Sequence, residues 1–223
     1  MPELVKAKEP FRFCTRLNLS ELTGLRAGNL GKLLELIKQV PGACIYHHTH
    51  RFLQQHQHLS PEPPNDFAYW VTEMLGDVEL GEKLASIDII QFSTLRDLRD
   101  KFAAIIEEYL EHNPQAASRF SRKGEEFYFM KSLSFVLPTH YQAYDLCEFA
   151  DVLKKITIDS IYYHIFEARL RLGKKTTDFS FWIETAIGDK QLADEISRLD
   201  PYSYTLEDLR GTVIKLIEAR LAN

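Results

Sequence analysis

Two spacings of apolar residues alternate along the chain, and each occurs twice. Phe11-Arg-Phe-Cys-Thr-Arg-Leu-Asn-Leu19 and Phe127-Tyr-Phe-Met-Lys-Ser-Leu-Ser-Phe135 place apolar side chains mostly at every second position, the period of a short strand or extended arm. The remaining spacing is helical. Leu30, Leu33, Leu34 and Ile37 form one stripe, matched by Leu146, Phe149, Ala150 and Leu153. A second helix is predicted from about Ala43 to Gln57, and again from about Asp159 to Leu172. A third begins near Asp66 or Asp178 and carries a Trp. Gly76-Asp77 and Gly188-Asp189 predict a left-handed helix end followed by an Asp that caps the next helix. That short helix carries Leu80 and Leu84, or Leu192 and Ile196. The last helix shows Leu95, Leu98, Phe102, Ile105, Ile106 and Tyr109, repeated by Leu206, Leu209, Val213, Leu216 and Ile217. Thr94 with Asp97, and Thr205 with Asp208, resemble capping boxes with Asp in place of Glu.

These patterns are copies of one another. Shifting Phe11–Phe52 by about 116 positions lays Phe11, Phe13, Thr23, Ala27, Tyr46 and His48 over Phe127, Phe129, Thr139, Ala143, Tyr162 and His164. After short deletions, Asp66, Phe67, Trp70, Gly76 and Asp77 fall on Asp178, Phe179, Trp182, Gly188 and Asp189. The sequence therefore predicts a mostly α-helical protein of two tandem, pseudo-twofold-related helical repeats. Each would have about five helices with a short extended or strand lead-in. The first repeat covers residues 1–112, a polar linker 113–126, and the second repeat 127–223.

Composition narrows the function classes. A net charge of -5 provides no basic footprint for nucleic acid. No run of about 18 apolar residues is present to span a membrane. The start, MPELVKAKEPFRF, lacks the apolar core of a signal peptide, which points to the cytoplasm. Cys14, Cys44 and Cys147 align with Met130, Ser160 and Gly31 in the opposite repeat, so neither a duplicated disulfide nor a duplicated metal ligand is expected.

Tyr46-His-His-Thr-His50, Leu59-Ser-Pro-Glu-Pro-Pro-Asn-Asp-Phe67 and Ser160-Ile-Tyr-Tyr-His-Ile-Phe-Glu-Ala-Arg169 carry a family resemblance. Asp178-Phe-Ser-Phe-Trp182 and Asp200-Pro-Tyr-Ser-Tyr-Thr-Leu206 add to it. Over nearly its whole length the chain resembles a bacterial family catalogued as domain of unknown function 5752. The resemblance implies no activity, substrate or catalytic residue.

Two constellations are candidate sites. The first is a duplicated His–Asp–Trp set: His48, Asp66 and Trp70, then His164, Asp178 and Trp182. Each His shares a helical face with apolar residues, so each is expected to be buried and bonded to the Asp that opens the next helix, with the Asp also capping that helix. A ligand pocket lined by the Trp and by Tyr46 or Tyr162 is the alternative. The second is the histidine cluster of the first repeat, His47, His50, His56 and His58. His47 and His50 are three apart on a helix and could share a divalent transition metal such as zinc, with Glu62 or Asp66 as further ligands. Otherwise His47 reads as a surface residue whose removal costs little.

No phosphate loop, nucleophile elbow or dinucleotide fingerprint is present. The leading expectation is a cytoplasmic, non-catalytic interaction or regulatory module with a protein partner or self-association. A metal-binding protein or metal-dependent enzyme using the histidine cluster is one alternative. A small-ligand binder using the His–Asp–Trp pocket is another.

Overall fold

The computed structural model describes residues 5–51, 64–168, 176–199 and 205–222. Each copy begins with a strand: β1 (Phe11–Ala27) and β2 (Phe127–Ala143). Behind β1 come α1 (Leu30–Gln39), α2 (Gly42–Tyr46), a π turn (His47–Arg51), α3 (Asp66–Glu73), α4 (Val78–Ala85) and α5 (Leu95–His112). Behind β2 come α6 (Leu146–Leu153), α7 (Ile158–Tyr162), a π turn (Tyr163–Glu167) and α8 (Asp178–Trp182). A further π turn (Ile183–Ile187), α9 (Lys190–Ser197) and α10 (Leu206–Ala222) complete the chain.

The fold class needs correction. The lead-ins are not short arms on a mostly α protein. They are strands of 17 residues each that pair into a two-stranded sheet. The pairing is antiparallel, since Thr23 reaches Phe129 while Phe13 is reached by Thr139. Alternation in the sequence fades after Leu19, and Gly24 and Pro138 are weak strand formers, so only the first halves of the strands were legible. Gly24 takes a left-handed φ of +79° inside β1.

The chain divides into two compact units, Met1–Leu17 with Ser134–Asn223 (unit 1) and Asn18–Leu133 (unit 2). The seam falls inside the strands, whereas the sequence suggests a division at residues 113–126. Each unit thus joins the helices of one repeat to the leading half-strand of the other.

Unit 1 has one apolar core, in which Phe11 and Phe13 of β1 are packed with Phe149, Ile161, Phe179, Trp182, Leu209 and Val213. In unit 2, Phe127 and Phe129 of β2 are buried, as are Leu33, Ile45, Phe67, Leu84, Phe102 and Ile106. The helix signals read from the sequence hold. Gly76 and Gly188 have φ of +67° and +82°, and Asp77 and Asp189 accept the amides of Leu80 and Leu192. Thr94 and Thr205 accept the amides of Asp97 and Asp208.

Candidate functional site

In unit 2 the α2 helix widens into its π turn as it reaches β2. The extra backbone residue in that turn leaves two consecutive histidines facing the strand. His48 is 3% exposed. Its Nδ1 lies 2.7 Å from Asp66 Oδ2, and its Nε2 lies 2.9 Å from the amide nitrogen of Met130 on β2. A backbone N–H can only donate, so Nε2 is the acceptor. Nδ1 then carries the proton and donates to the carboxylate. Unit 1 repeats this arrangement: His164 Nδ1 donates to Asp178 Oδ2 at 2.8 Å, and the Cys14 amide donates to His164 Nε2 at 2.9 Å.

The Asp residues are placed by their neighbours. Asn65 and Thr177 cap α3 and α8 through side-chain oxygens. This corrects the expectation that Asp66 and Asp178 are the caps. Each Asp instead occupies the first helical position, with its carboxylate turned to the imidazole.

The tryptophans complete the pattern. Trp70 Nε1 donates to the Glu125 carbonyl at 2.6 Å, and Trp182 Nε1 to the Glu9 carbonyl at 3.2 Å. Thr23 Oγ1 donates to the Phe129 carbonyl and Thr139 Oγ1 to the Phe13 carbonyl, at 2.7 and 2.6 Å. Every one of these bonds ends on the main chain of a strand or of the residues just before it. In unit 1, Ser160 Oγ adds a fourth such bond, to the Cys14 carbonyl at 2.6 Å.

Aromatic rings close around the same strand segments. The Phe11 ring meets Phe149, His164, Phe179 and Trp182 at centroid distances of 4.9–5.8 Å. Phe127 meets His48, Phe67 and Trp70 at 4.6–5.8 Å. The duplicated set is therefore an arm seat that grips an extended segment by its backbone and by two Phe side chains. With both ring nitrogens engaged, neither His48 nor His164 has a lone pair to offer a substrate or metal while the arm is seated.

The units differ one step further along the strand. In unit 2, His47 is 8% exposed and its Nδ1 lies 3.0 Å from Ser132 Oγ. Burial, reinforced by neighbouring His48, lowers its pKa to about 4, so it is neutral at physiological pH. The reading of His47 as a surface residue is thereby overturned. In unit 1 the corresponding strand position is Arg16, which forms a buried ion pair with Glu167 and bonds Ser134.

His50 is buried, stacks on Tyr46 with centroids 5.4 Å apart, and meets Thr49 Oγ1 through Nδ1 at 3.0 Å. His47 and His50 thus engage different partners. His56, His58 and Glu62 lie outside the described residues. Among the described residues, no three His, Cys, Asp or Glu side chains are grouped to hold a metal ion. Cys14, Cys44 and Cys147 are not joined in disulfides, and burial pushes Cys44 up from its ordinary pKa. A groove of about 530 Å³ in unit 2 lies between α4 and the C-terminal half of α5, lined by Lys83, Glu108, Tyr109 and His112 among others. None of the described residues among the sequence-predicted site residues lines it.

Sequence reasoning missed the strand side of the seat. Thr23 and Thr139 are kept in both copies, which is a visible signal. Cys14 and Met130 meet the seat through backbone atoms, so their side-chain identities give no such signal.

The chain matches, over residues 8–218, the family model described as Family of unknown function (DUF5752), and it belongs to that family. A solved structure, OrfY from Thermoproteus tenax, is similar at 34% identity and a TM-score of 0.81, over 97% of this chain and 98% of that one. No curated protein matches. Among the described residues no helix is long and apolar enough to cross a membrane.

Proposed function

We propose that this chain is a cytoplasmic, non-catalytic interaction or regulatory module. One observation carries the reading. The side chains most like an active site, His48–Asp66–Trp70 and His164–Asp178–Trp182, are committed to the backbone of an extended polypeptide segment. That is recognition chemistry, in which main-chain bonds give affinity and side-chain pockets give specificity. Exposed apolar side chains on the strands agree with a protein partner. Leu19, Leu22 and Leu25 of unit 2 and Phe135, Val136 and Leu137 of unit 1 are each 41–58% exposed. Isolated apolar residues at a surface are ordinary, but such a concentration on strands is a feature of interaction surfaces.

The test is site-specific photo-crosslinking in the native cell. A photoreactive residue at Leu22 or Phe135 is expected to give a discrete covalent adduct, either with a second copy or with one other protein. Leu19→Ser with Leu25→Ser beside the first probe, or Val136→Ser with Leu137→Ser beside the second, should abolish it. If neither position gives a discrete adduct, the reading fails.

A further inference from the structure

We propose that the arm seat of unit 1 is a recognition groove for an extended Phe-x-Phe segment, occupied in the chain by its own Phe11-Arg-Phe13 and open to the same segment of a second copy. The proposal rests on reading the chain as an interaction module and names the partner of that module.

Three features support it. First, the seat addresses atoms that any extended peptide presents: the Glu9, Phe13 and Cys14 carbonyls and the Cys14 amide. Second, its side-chain requirement is narrow. Phe11 and Phe13 are buried against Phe149, His164 and Phe179, whereas Arg12 between them is exposed. Third, the arm is not local to its seat, since Cys14 and His164 are 150 positions apart. Unit 2 repeats the arrangement with Phe127-Tyr-Phe129, again using an arm and a seat from different repeats. The two arms have in common Phe-x-Phe and three gripped backbone positions: the amide of Cys14 or Met130 and the carbonyls of Phe13 or Phe129 and of Glu9 or Glu125.

An identical arm from a second copy would make the same contacts, so exchange leaves the contact energy unchanged. The covalent tether decides the outcome by raising the local concentration of the chain's own arm. Weakening that arm should therefore open the seat to the arm of another chain.

The probe is a fluorescent synthetic peptide of residues 5–17, titrated by anisotropy into the full chain carrying Phe11→Ala and Phe13→Ala. Saturable binding is expected, at least tenfold tighter than to the wild-type chain. A peptide with both Phe replaced by Ala should bind at least about 100-fold more weakly, as expected for two buried Phe side chains. A folded variant that binds neither peptide up to roughly 1 mM overturns the proposal. So does one that binds both peptides equally.

If the double variant does not fold, amide exchange of residues 9–14 is measured in the wild-type chain with excess peptide. Faster exchange with the Phe peptide alone supports the proposal, and unchanged exchange overturns it. Either failure leaves the crosslinking result intact, so the loss of this partner is distinguishable from the loss of the interaction reading.

Discussion

Replacing His164 by alanine tests the arm seat at its centre. The change removes an acceptor from the Cys14 amide and a donor from Asp178. An amide left without a partner in a part-buried site costs about 1–3 kcal/mol. The lost ring also leaves a void beside Phe11 and Phe179, whose centroids lie 4.9 and 5.4 Å away. Incomplete collapse around that void adds roughly 1–2 kcal/mol. The expected total is about 2–5 kcal/mol, a large part of the stability of a unit this size. The chain has two tryptophans, one in each unit, so Trp70→Phe leaves Trp182 as a reporter of unit 1. Urea unfolding followed by Trp182 fluorescence should show a lower midpoint for His164→Ala in that background, with the slope unchanged. Thr139→Val acts on the Phe13 carbonyl of the same arm, so its cost should be smaller in the His164→Ala chain than in wild type. A loss of stability below about 0.5 kcal/mol, taken as the midpoint shift times the slope, would refute the reasoning, because the imidazole would then be a passenger in the core.

Three further outcomes are expected. His47 has a folded-state pKa of about 4, below the ordinary value of 6.5, so the unfolded chain binds more protons between those values. The stability contributed by keeping His47 neutral, up to about 3 kcal/mol, is present above pH 6.5 and lost as pH falls toward 4; His47→Gln should flatten that part of the stability–pH curve relative to wild type. The Tyr109 hydroxyl donates to buried Asp77, and burial with that bond pushes its pKa up to about 12. Tyr109→Phe should therefore cost about 1–2 kcal/mol in a denaturant melt, whereas Arg220→Ala, which breaks the exposed pair with Asp189, should cost less than about 1. Gly188→Ala should destabilise by about 1 kcal/mol or more through its φ of +82°, with no clash to relieve because no atom lies within 4 Å of the added carbon.

What the sequence revealed was mainly local. Helix caps at Asp77, Thr94, Asp189 and Thr205 depend on residues three apart, and these were legible. The inward face of His48 and His164 followed from helical spacing, and their Asp partners from position. The π turns at His47–Arg51 and Tyr163–Glu167 carried no such signal. Strand length was hidden because a strand with Gly24 or Pro138 is held by its partner rather than by its own propensity. The exchange of arms was hidden for a different reason. Two similar repeats offer two similar arms and two similar seats, and similarity cannot say which arm enters which seat. The misplacing of Asp66 as a cap was local competition: Asn65, one position earlier, takes the amide of Ala68.

The seam at Leu17 and Ser134 has a consequence for synthesis. Unit 2 is a continuous stretch, Asn18–Leu133, so all its parts have left the ribosome well before translation ends. Unit 1 needs both Met1–Leu17 and Ser134–Asn223, which are separated in order of synthesis by the whole of unit 2. Its N-terminal segment, with Phe11 and Phe13, must wait unseated until His164 and Trp182 emerge. Vectorial synthesis therefore orders the assembly: unit 2 can close first, and unit 1 closes only after more than a hundred further residues. During that interval the waiting aromatic segment is what a chaperone, or a neighbouring nascent chain on the same message, would meet first.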